Sequence, residues 1–312
     1  MSAPIVVGVD GSTSALTAVE WAAEEAARHH VPLEILHTYV LPRRGYPDLV
    51  LTADNVRKAF EQQAWQWTEE AAAAARAATP ATEVETSVVV DRPAAALVAA
   101  SRHARLVVLG SRGLGGFTGL LLGSVAVAVT AHAQSPVVVV RGGFHEDGPV
   151  VVGVDGSPAS ERAIAFAFDQ ASSAGVPLTA VIAWTDFPVE SAYQSRITVD
   201  WSQVGGEQSR LLAERLAGWQ EEYPDVHVVR AVVRDRPVHA LLAAARGARL
   251  LVVGSHGAGG FRGMLLGSAG HALVHHAPCP VAVVRPAVAA GARRSTTEPA
   301  RPVAPSSRTS RW

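Results

Sequence analysis

The sequence predicts an α/β protein of two repeated doubly wound domains, each with a five-stranded parallel sheet and helices on both faces. Two observations carry this prediction. Short β-branched runs alternate with segments of helical spacing, which is the pattern of a parallel sheet with helical crossovers. The chain also repeats itself, because residues 4–12 match residues 149–157 and residues 91–93 match residues 235–237 in the same order. Collinear matches over this length indicate a duplication.

The elements of the first repeat follow from composition and spacing. Apolar or β-branched runs of strand length predict strands at residues 5–9, 33–40, 83–90, 106–110 and 137–140. Apolar residues at helical spacing, or alanine-rich stretches, predict helices at residues 14–30, 53–78, 93–102 and 124–132. Ser12 or Ser14 can cap the first helix, and Pro93 suits the first turn of the third. Proline and glycine at 41–52 predict a loop.

The second repeat follows the same course, so we expect one domain at residues 1–142 and another at residues 148–286. The short glycine-containing joint between them predicts that the domains lie against each other. After Pro286 the composition changes to Ala, Gly, Ser, Thr, Pro and Arg, which predicts a disordered tail at 287–312.

Composition sets the class of protein. A chain of 312 residues with 48% hydrophobic and 18% charged residues can form two globular domains with full cores. A net charge of −1 gives no electrostatic reason to expect nucleic acid or a membrane surface as partner. The single cysteine, Cys279, fits a reducing compartment, and neither a signal peptide nor an apolar span is visible. The expected location is the cytoplasm.

Lys58 is the only lysine, and it lies in a polar helical segment away from the glycine-rich loops. P-loop NTPases, protein kinases and pyridoxal enzymes each need a lysine at their reactive centre. The sequence therefore excludes these three classes.

A glycine-rich segment joins the fourth strand to the fourth helix in each repeat. Its marked residues are Gly110, Gly113, Gly123 and Ser124, and then Gly254, Gly257, Gly267 and Ser268 at the same spacing. This order of strand, loop and helix start gathers backbone N–H groups and a positive helix end around one volume. The segment therefore predicts a binding site for a phosphate chain.

Topology selects the same place. Ligands of a doubly wound sheet bind beyond the carboxyl ends of the strands where the strand order reverses, here between strands one and four. Asp10 and the loop after Gly110 stand at those ends. We expect the glycines to provide positive φ and close approach, and Ser124 to cap its helix and bond a phosphate. Asp10 would repel phosphate, so it suits a ribose hydroxyl or Mg²⁺.

Each of these residues also has an ordinary structural explanation when it is taken alone. Gly110 could form a turn, Ser124 could be only a cap, and Asp10 could cap the first helix. Their combination, present twice in the chain, favours the nucleotide site.

Competing motifs are absent from these loops. The GxGxxG pattern fails because Thr118 and Arg262 stand at the third glycine position, so binding of NAD or FAD is not expected. GxSxG does not occur, so a nucleophile elbow is not supported. Arg112 and His256 occupy equivalent places, and either could touch a phosphate without being placed as a general base.

Histidines near the ends of the fourth helices have structural explanations. His271 and His275 stand four residues apart, a spacing that a metal pair could use, but no third ligand is evident. We expect that helix face to be solvated or packed. His132 and His276 are equivalent, and both are expected near a helix C-terminus, where positive charge is favourable.

The chain resembles the tandem universal stress proteins of actinobacteria. The resemblance covers residues 3 to 286 and rests on the motif G-x2-G-x9-G-[ST], which both loops match, and on the strand-one aspartates Asp10 and Asp155. It implies a Rossmann-like fold of the adenine nucleotide alpha hydrolase kind and the ATP-binding branch of the family. Family members commonly pair through the fifth strand, which implies a pseudo-dimer of the two repeats and allows a homodimer.

The resemblance also implies the site. ATP with Mg²⁺ would be held by Asp10, Gly110, Ser111, Arg112, Gly113, Gly123, Ser124 and Val125, and a second ATP by Asp155, Gly254, Ser255, His256, Gly257, Gly267, Ser268 and Ala269. Asp10 and Asp155 would contact the Mg²⁺ that accompanies each ATP.

Two features depart from the family pattern. Arg105 and Arg249 stand before the fourth strands, where the family often has aspartate. The second-strand ends differ, with Thr38-Tyr39 against Trp184-Thr185, which predicts unequal adenine contacts in the two repeats.

Three functions remain open from the sequence. The favoured one is a nucleotide-dependent stress-response regulator, not an enzyme, that holds ATP with little or no turnover. The alternative is a Mg²⁺-dependent ATP hydrolase or nucleotidyl transferase using Asp10, and the third is an interaction module without ligand. A protein partner is unknown, and the dissimilar loops at 42–52 and 186–206 are where we expect its surface.

Overall fold

A computed structural model describes residues 2–41, 53–114, 122–143, 145–185, 201–257 and 266–286, and only the backbone of Ala53 and Trp201. The first lobe contains β1(Ile5–Val9), α1(Thr13–His29), β2(Leu33–Tyr39), α2(Ala53–Ala78), β3(Val84–Val90), α3(Pro93–Ala100), β4(Leu106–Gly110), α4(Ser124–His132) and β5(Val137–Val140). The second lobe contains β6(Val150–Gly153), α5(Pro158–Ala174), β7(Leu178–Trp184), α6(Trp201–Glu222), β8(Val228–Arg234), α7(Pro237–Ala244), β9(Leu250–Gly254), α8(Ser268–His276) and β10(Val281–Val284).

The strands form one ten-stranded sheet in the order β3-β2-β1-β4-β5-β10-β9-β6-β7-β8. All pairings within each lobe are parallel, which confirms the predicted doubly wound architecture. The lobes meet where β5 pairs with β10 in the antiparallel sense. Because this junction reverses the strand direction, the carboxyl ends of the two sets of strands lie at opposite edges of the sheet.

Most of the predicted bounds agree with the structure to within two residues. Ser12 rather than Ser14 caps α1, because its side chain accepts a hydrogen bond from the backbone N–H of Ala15. The predicted third helix was two residues too long, since Arg102 N donates to Ala99 O in a tighter turn.

The dissimilar loop expected at 186–206 needs one correction. Residues 201–206 form the first turns of α6, although Gly205 and Gly206 are poor helix formers. The rest of that loop, the loop at 42–52 and the tail at 287–312 lie outside the described residues.

Apolar side chains cover both faces of the sheet. One core layer packs the strands against α1, α2, α5 and α6 and includes the fully buried Trp21 and Phe168. The other packs them against α3, α4, α7 and α8. Both layers contain residues of the two lobes, so the lobes share a continuous core. Among the described residues, no helix combines the length and apolar character needed to cross a bilayer.

A buried polar cluster joins α1 to α5 across the lobes. Glu25 accepts hydrogen bonds from Arg28 of its own helix, with Nη2 at 2.7 Å, and from Gln170 Nε2 of the other lobe. His29 Nε2 lies 2.7 Å from the same carboxylate. Burial alone would raise the pKa of Glu25, but the hydrogen bond of His29 and the charge of Arg28 lower it from 4.5 to about 2.

The two arginines before the fourth strands belong to this lobe boundary rather than to a ligand site. Arg105 Nη2 donates to Asp169 Oδ2 of α5 at 2.7 Å. Arg249 is buried, and its Nη1 donates to the main-chain oxygen of Glu146 at 2.7 Å. Their departure from the family pattern therefore serves contacts at the amino ends of the strands.

Replacing Glu25 with glutamine should destabilise the protein at neutral pH. A folded-state pKa of about 2 against 4.5 is worth on the order of 3 kcal/mol in the free energy of unfolding. Because the folded pKa is lowered, this stabilisation is present above pH 4.5 and is lost as the pH falls towards 2. Urea unfolding of both proteins should give a difference that is full at pH 7 and shrinks below pH 4.5.

Glu24→Gln is the matched control, since Glu24 lies on the same turn and is less buried, and the pKa of its carboxyl is raised by burial. Equal losses for the two variants would show that Glu25 does not carry the effect.

Candidate functional site

A cavity of about 440 Å³ opens at the carboxyl edge of the first lobe. It lies between the ends of β1 and β4 and the start of α4. Its walls are formed by Gly8, Val9, Asp10, Ala15, Leu36, Thr38, Pro93, Leu97, Leu109, Gly110, Arg112, Gly113, Leu122, Gly123, Ser124, Val125 and Ala126. An equivalent cavity of about 410 Å³ lies in the second lobe, at the opposite edge of the sheet. Both volumes are in the range of small-molecule sites.

The structure brings nearly all of the predicted site residues to these cavities. In the first cavity the exception is Ser111, and in the second all eight predicted residues line the wall. Ser111 is buried behind the wall, where its N–H donates to Val140 O at 3.1 Å and its carbonyl accepts from Gly123 N at 2.9 Å. It therefore ties the loop to β5 and to the start of α4.

The carboxylate of Asp10 spans the cavity floor. Its Oδ1 accepts from Ser12 N at 3.0 Å, and its Oδ2 accepts from Leu114 N at 2.9 Å. The carboxylate thus links the end of β1 to the glycine loop. In the second lobe, Asp155 Oδ1 accepts from Ser157 N at 3.0 Å, which is equivalent to the contact of Asp10 with Ser12 N.

The predicted role of the loop glycines in providing positive φ was wrong. The glycines with positive φ among the described residues do not include Gly110, Gly113 or Gly123. Gly110 is required because a Cβ would lie 2.6 Å from Ser14 O of α1, and Gly113 because a Cβ would overlap Asp10 Oδ2. Close approach of other protein atoms, rather than of a ligand, decides both positions.

The residues that do adopt positive φ beside the cavities were missed. Gly11 and Gly156 follow the two aspartates with φ of 83° and 74°. A glycine directly after each strand-one aspartate was a visible signal, since this conformation favours glycine.

The start of α4 presents backbone N–H groups to the cavity that no described side chain caps. Its N-cap is Gly123, with φ −73° and ψ 146°, and no side chain caps the helix. The prediction that Ser124 caps it was wrong, since Ser124 is the first residue within the helix. The N-cap of α8 is likewise Gly267, without a side-chain hydrogen bond. Within the described residues, each helix start therefore presents backbone donors and the positive end of its dipole to its cavity.

An apolar wall faces these donors, and sequence reasoning did not identify it. In the first cavity it consists chiefly of Leu36, Pro93, Leu97, Leu109 and Leu122, and in the second of Val181, Pro237, Leu241, Val253 and Leu273. The wall combines residues of the strands with residues from the first turn and middle of α3 or α7. The sequence could have indicated it only through the position of these residues near the carboxyl end of the sheet.

The predicted difference between the second-strand ends needs a change of register. β2 and β7 are equivalent over seven residues. Thr38 in the first repeat therefore corresponds to Ala183 in the second, and Tyr39 to Trp184. Thr185 lies beyond β7. Thr38 and Ala183 line their cavities, so the first cavity has a hydroxyl where the second has a methyl group.

The two cavities also differ in charge. The charged side chains along the first are Asp10 and Arg112, whereas the second has Asp155 and His256. The His256 ring is held by the buried Ser255, whose Oγ lies 3.0 Å from Nδ1.

His271 is exposed and His275 partly exposed, which agrees with the expectation that this helix face is solvated or packed. The rings of His271 and His275 lie 4.4 Å apart, and those of His275 and His276 lie 6.1 Å apart. No group of three His, Cys, Asp or Glu side chains suited to a metal occurs in the part of the chain that the structure describes. His132 and His276 end their helices, as predicted.

Comparison with known proteins identifies relatives over nearly the whole chain. A model of the "Universal stress protein family" matches residues 1–141 and again residues 148–285. A universal stress protein of Mycolicibacterium smegmatis is 42% identical over 293 residues, which cover 90% of this chain and 97% of the relative. One from Mycobacterium tuberculosis is 41% identical over 303 residues, covering 90% and 94%. The crystal structure of a universal stress protein from Archaeoglobus fulgidus shares the fold, with TM-score 0.67 at 21% identity over 91% of this chain and 96% of that chain.

Gly113→Ala should destabilise the ligand-free protein. The added Cβ would displace the Asp10 carboxylate and break its hydrogen bond with Leu114 N, at a cost of about 1 kcal/mol. Thermal unfolding should show a melting temperature lower by about 2–4 °C.

Gly143→Ala is the control, because a Cβ there would have no atom within 4 Å. In an Asp10→Ala background the effect of Gly113→Ala should largely disappear. If Gly113→Ala costs as much without the carboxylate as with it, the overlap is not its cause.

Proposed function

We propose that this chain, which belongs to the universal stress protein family, is a stress-response regulator that holds one ATP in each lobe with little or no turnover. The observation that carries the proposal is the pair of cavities in which an uncapped helix start faces an apolar wall. Such an arrangement suits a ligand with a polyanionic end and an aromatic end. ATP has both.

The phosphate end would be held by main-chain groups. The N–H groups at the start of α4 and in the loop after Gly110 would bond the phosphate oxygens, and the Ser124 hydroxyl would add one donor. Arg112 would balance the negative charge in the first lobe. Gly254, Gly257, Gly267 and Ser268 would take these roles in the second lobe.

The adenosine end would lie against the apolar wall. Leucine and proline side chains of β2, β4 and α3 present a surface that removes the base from water. Asp10, at the end of β1, has lone pairs beyond those used by its two backbone donors, and these suit a ribose hydroxyl.

Mg²⁺ would enter with ATP rather than occupy a site of the protein. Each described cavity wall provides a single carboxylate, which is Asp10 in the first cavity and Asp155 in the second. Mg²⁺ commonly keeps several waters and binds one or two carboxylates together with substrate phosphates. One carboxylate per cavity is consistent with this mode of binding. The ion would neutralise phosphate charge near the aspartate.

In the first lobe, the residues of the described cavity wall support low turnover. The only lysine of the chain, Lys58, lies on α2, and the described wall of the first cavity contains no histidine. Asp10 is fixed by two backbone hydrogen bonds rather than positioned beside a nucleophile. The alternative of an ATP hydrolase or nucleotidyl transferase has no comparable support.

The relatives bear the name of universal stress proteins, which supports a role in the stress response. We further propose that the lobes are domains at 1–142 and 148–286 and that the protein acts in the cytoplasm.

Gly123→Asp should remove ATP from the first lobe without unfolding it. Aspartate is a favourable N-cap and φ at this position suits it, so its carboxylate would bond the N–H groups that the phosphates need and would repel them. Equilibrium dialysis with ATP and Mg²⁺ should give two nucleotides per chain for the parent, one for Gly123→Asp or Gly267→Asp, and none for the double variant.

Gly143→Ala is the control, because its Cβ would have no atom within 4 Å. A stoichiometry of two in Gly123→Asp, with an unchanged melting temperature, would refute the assigned site.

Bound ATP should remain ATP. In a single-turnover experiment with radiolabelled ATP and excess protein, we expect no conversion during the time in which bound nucleotide exchanges with the solution. The double variant provides the background from contaminating hydrolases. Mg²⁺-dependent conversion by the parent above that background would instead establish the enzymatic alternative.

A further inference from the structure

The two cavities carry different side chains at one equivalent position of their glycine loops. Arg112 lines the first cavity, and His256 takes its place in the second. Each directly precedes the glycine whose added Cβ would overlap the strand-one aspartate, which is Gly113 in the first lobe and Gly257 in the second. The duplication therefore presents two versions of one cavity that differ in a cationic side chain.

Arg112 is exposed at the rim of the first cavity. Its backbone is fixed to the start of α1, since Arg112 N donates to Ser14 Oγ at 3.3 Å and Arg112 O accepts from Ser12 Oγ at 3.3 Å. Among the described residues, no acidic side chain forms an ion pair with its guanidinium. The positive charge of Arg112 therefore acts on a ligand in the cavity without a described counter-ion.

A second guanidinium lies near that of Arg112. Arg141 follows β5, and its Nη1 donates to the main-chain oxygen of Val274 at the end of α8. Burial lowers the pKa of Arg141, and the charge of Arg112 lowers it further, so the two cations lie within each other's field. Like charges add their potentials. An anion bound at the first glycine loop would therefore meet the field of both.

The second cavity does not have the same excess of positive charge. His256 carries no formal charge at pH 7, and burial lowers the pKa of Arg285 with no cationic neighbour contributing among the described residues. Arg215 is close to this cavity, since an added Cβ at Gly156 would lie 3.9 Å from its Nη2. Its Nη1, however, lies 3.1 Å from Oε1 of Glu161, and this ion pair neutralises the charge.

The described cavity walls thus differ by one unit of charge. Asp10 and Arg112 cancel in the first wall, whereas Asp155 beside His256 leaves one negative charge in the second. A net negative wall opposes each phosphate group added to a ligand, and a neutral wall does not. The leucine, valine and proline side chains that would face the base are similar in the two cavities. The charge difference therefore bears on the phosphate chain rather than on the base.

We propose that Arg112 makes the first lobe select adenine nucleotides by their phosphate chain, whereas the second lobe gains less from the phosphates and discriminates less against adenosine. This inference rests on the proposed binding of ATP in both cavities. One chain then contains a triphosphate-selective site and a less selective site for adenine compounds.

The test examines one lobe at a time. Gly267→Asp gives a first-lobe protein, in which the first cavity alone binds, and Gly123→Asp gives a second-lobe protein. Calorimetric titrations with adenosine and with ATP and Mg²⁺ are made at low ionic strength and mildly alkaline pH. The ratio of ATP affinity to adenosine affinity should be about fivefold larger in the first-lobe protein, the effect of one unit charge at about 4 Å in water. At about 1 M salt, which screens such charges, the difference should largely disappear.

Exchanging the two residues gives the decisive comparison. Arg112→His in the first-lobe protein should lower the ratio about fivefold, and His256→Arg in the second-lobe protein should raise it by a similar factor. The affinity for adenosine should stay nearly constant, because adenosine carries no charge. Arg76→His is the matched control, since Arg76 lies in the last turn of α2, at the amino ends of the strands and away from the cavity.

Equal ratios in the two single-lobe proteins, or ratios that the exchanges do not move, would overturn the inference while leaving ATP binding intact. Equal effects of Arg76→His and Arg112→His would also contradict it, because total charge rather than the cavity rim would then decide the ratio. Absence of ATP from both cavities of the parent protein would refute the proposed function and this inference together.

Discussion

The parallel pairing of β1 with β4 is the constraint on which each candidate site depends. Gly8 lies beside Leu109 in this register, so the two strands end together and Asp10 meets the loop that follows Gly110. Asp10 then accepts from Leu114 N, and the loop is held so close that a Cβ at Gly113 would displace the Asp10 carboxylate. The cavity, the exposed start of α4 and the apolar wall follow from this meeting, because the strand order reverses there. The same pairing is repeated between β6 and β9.

The antiparallel pairing of β5 with β10 has a different consequence. It places the two cavities at opposite edges of the sheet and brings the end of β5 to the end of α8. Arg141 thereby reaches the histidines of the other lobe while remaining one residue from the strand that supports the first cavity. A contact between the lobes and the glycine loop of the first cavity are thus built on the same four-residue strand, and no local pattern of the sequence would reveal this.

The sequence was sufficient to predict the order of the elements, because β-branched runs such as Val137–Val140 and capped helices such as α1 carry local signals. It also located Asp10 and the glycine loops. It did not predict why the glycines are needed, since Gly110 is required by a carbonyl of α1 and Gly113 by a carboxylate, and both contacts depend on the tertiary fold. The apolar wall and the Arg141 contact join residues far apart in the chain, so spacing alone could not identify them.

Duplication within one chain allows the lobes to differ where a symmetric dimer could not. Glu25 and Gln170 are equivalent in the two repeats, and they contact each other across the pseudo-twofold axis. With two identical lobes, a glutamate would face a glutamate at a position that is buried in this structure, and two carboxylates sharing such a site cannot both remain ionised without a large cost. Gln170 removes one charge and donates a hydrogen bond to the other. The same freedom permits an arginine, Arg112, in the first cavity where the second has His256, so the fusion of the repeats is what makes two unequal cavities possible on one sheet.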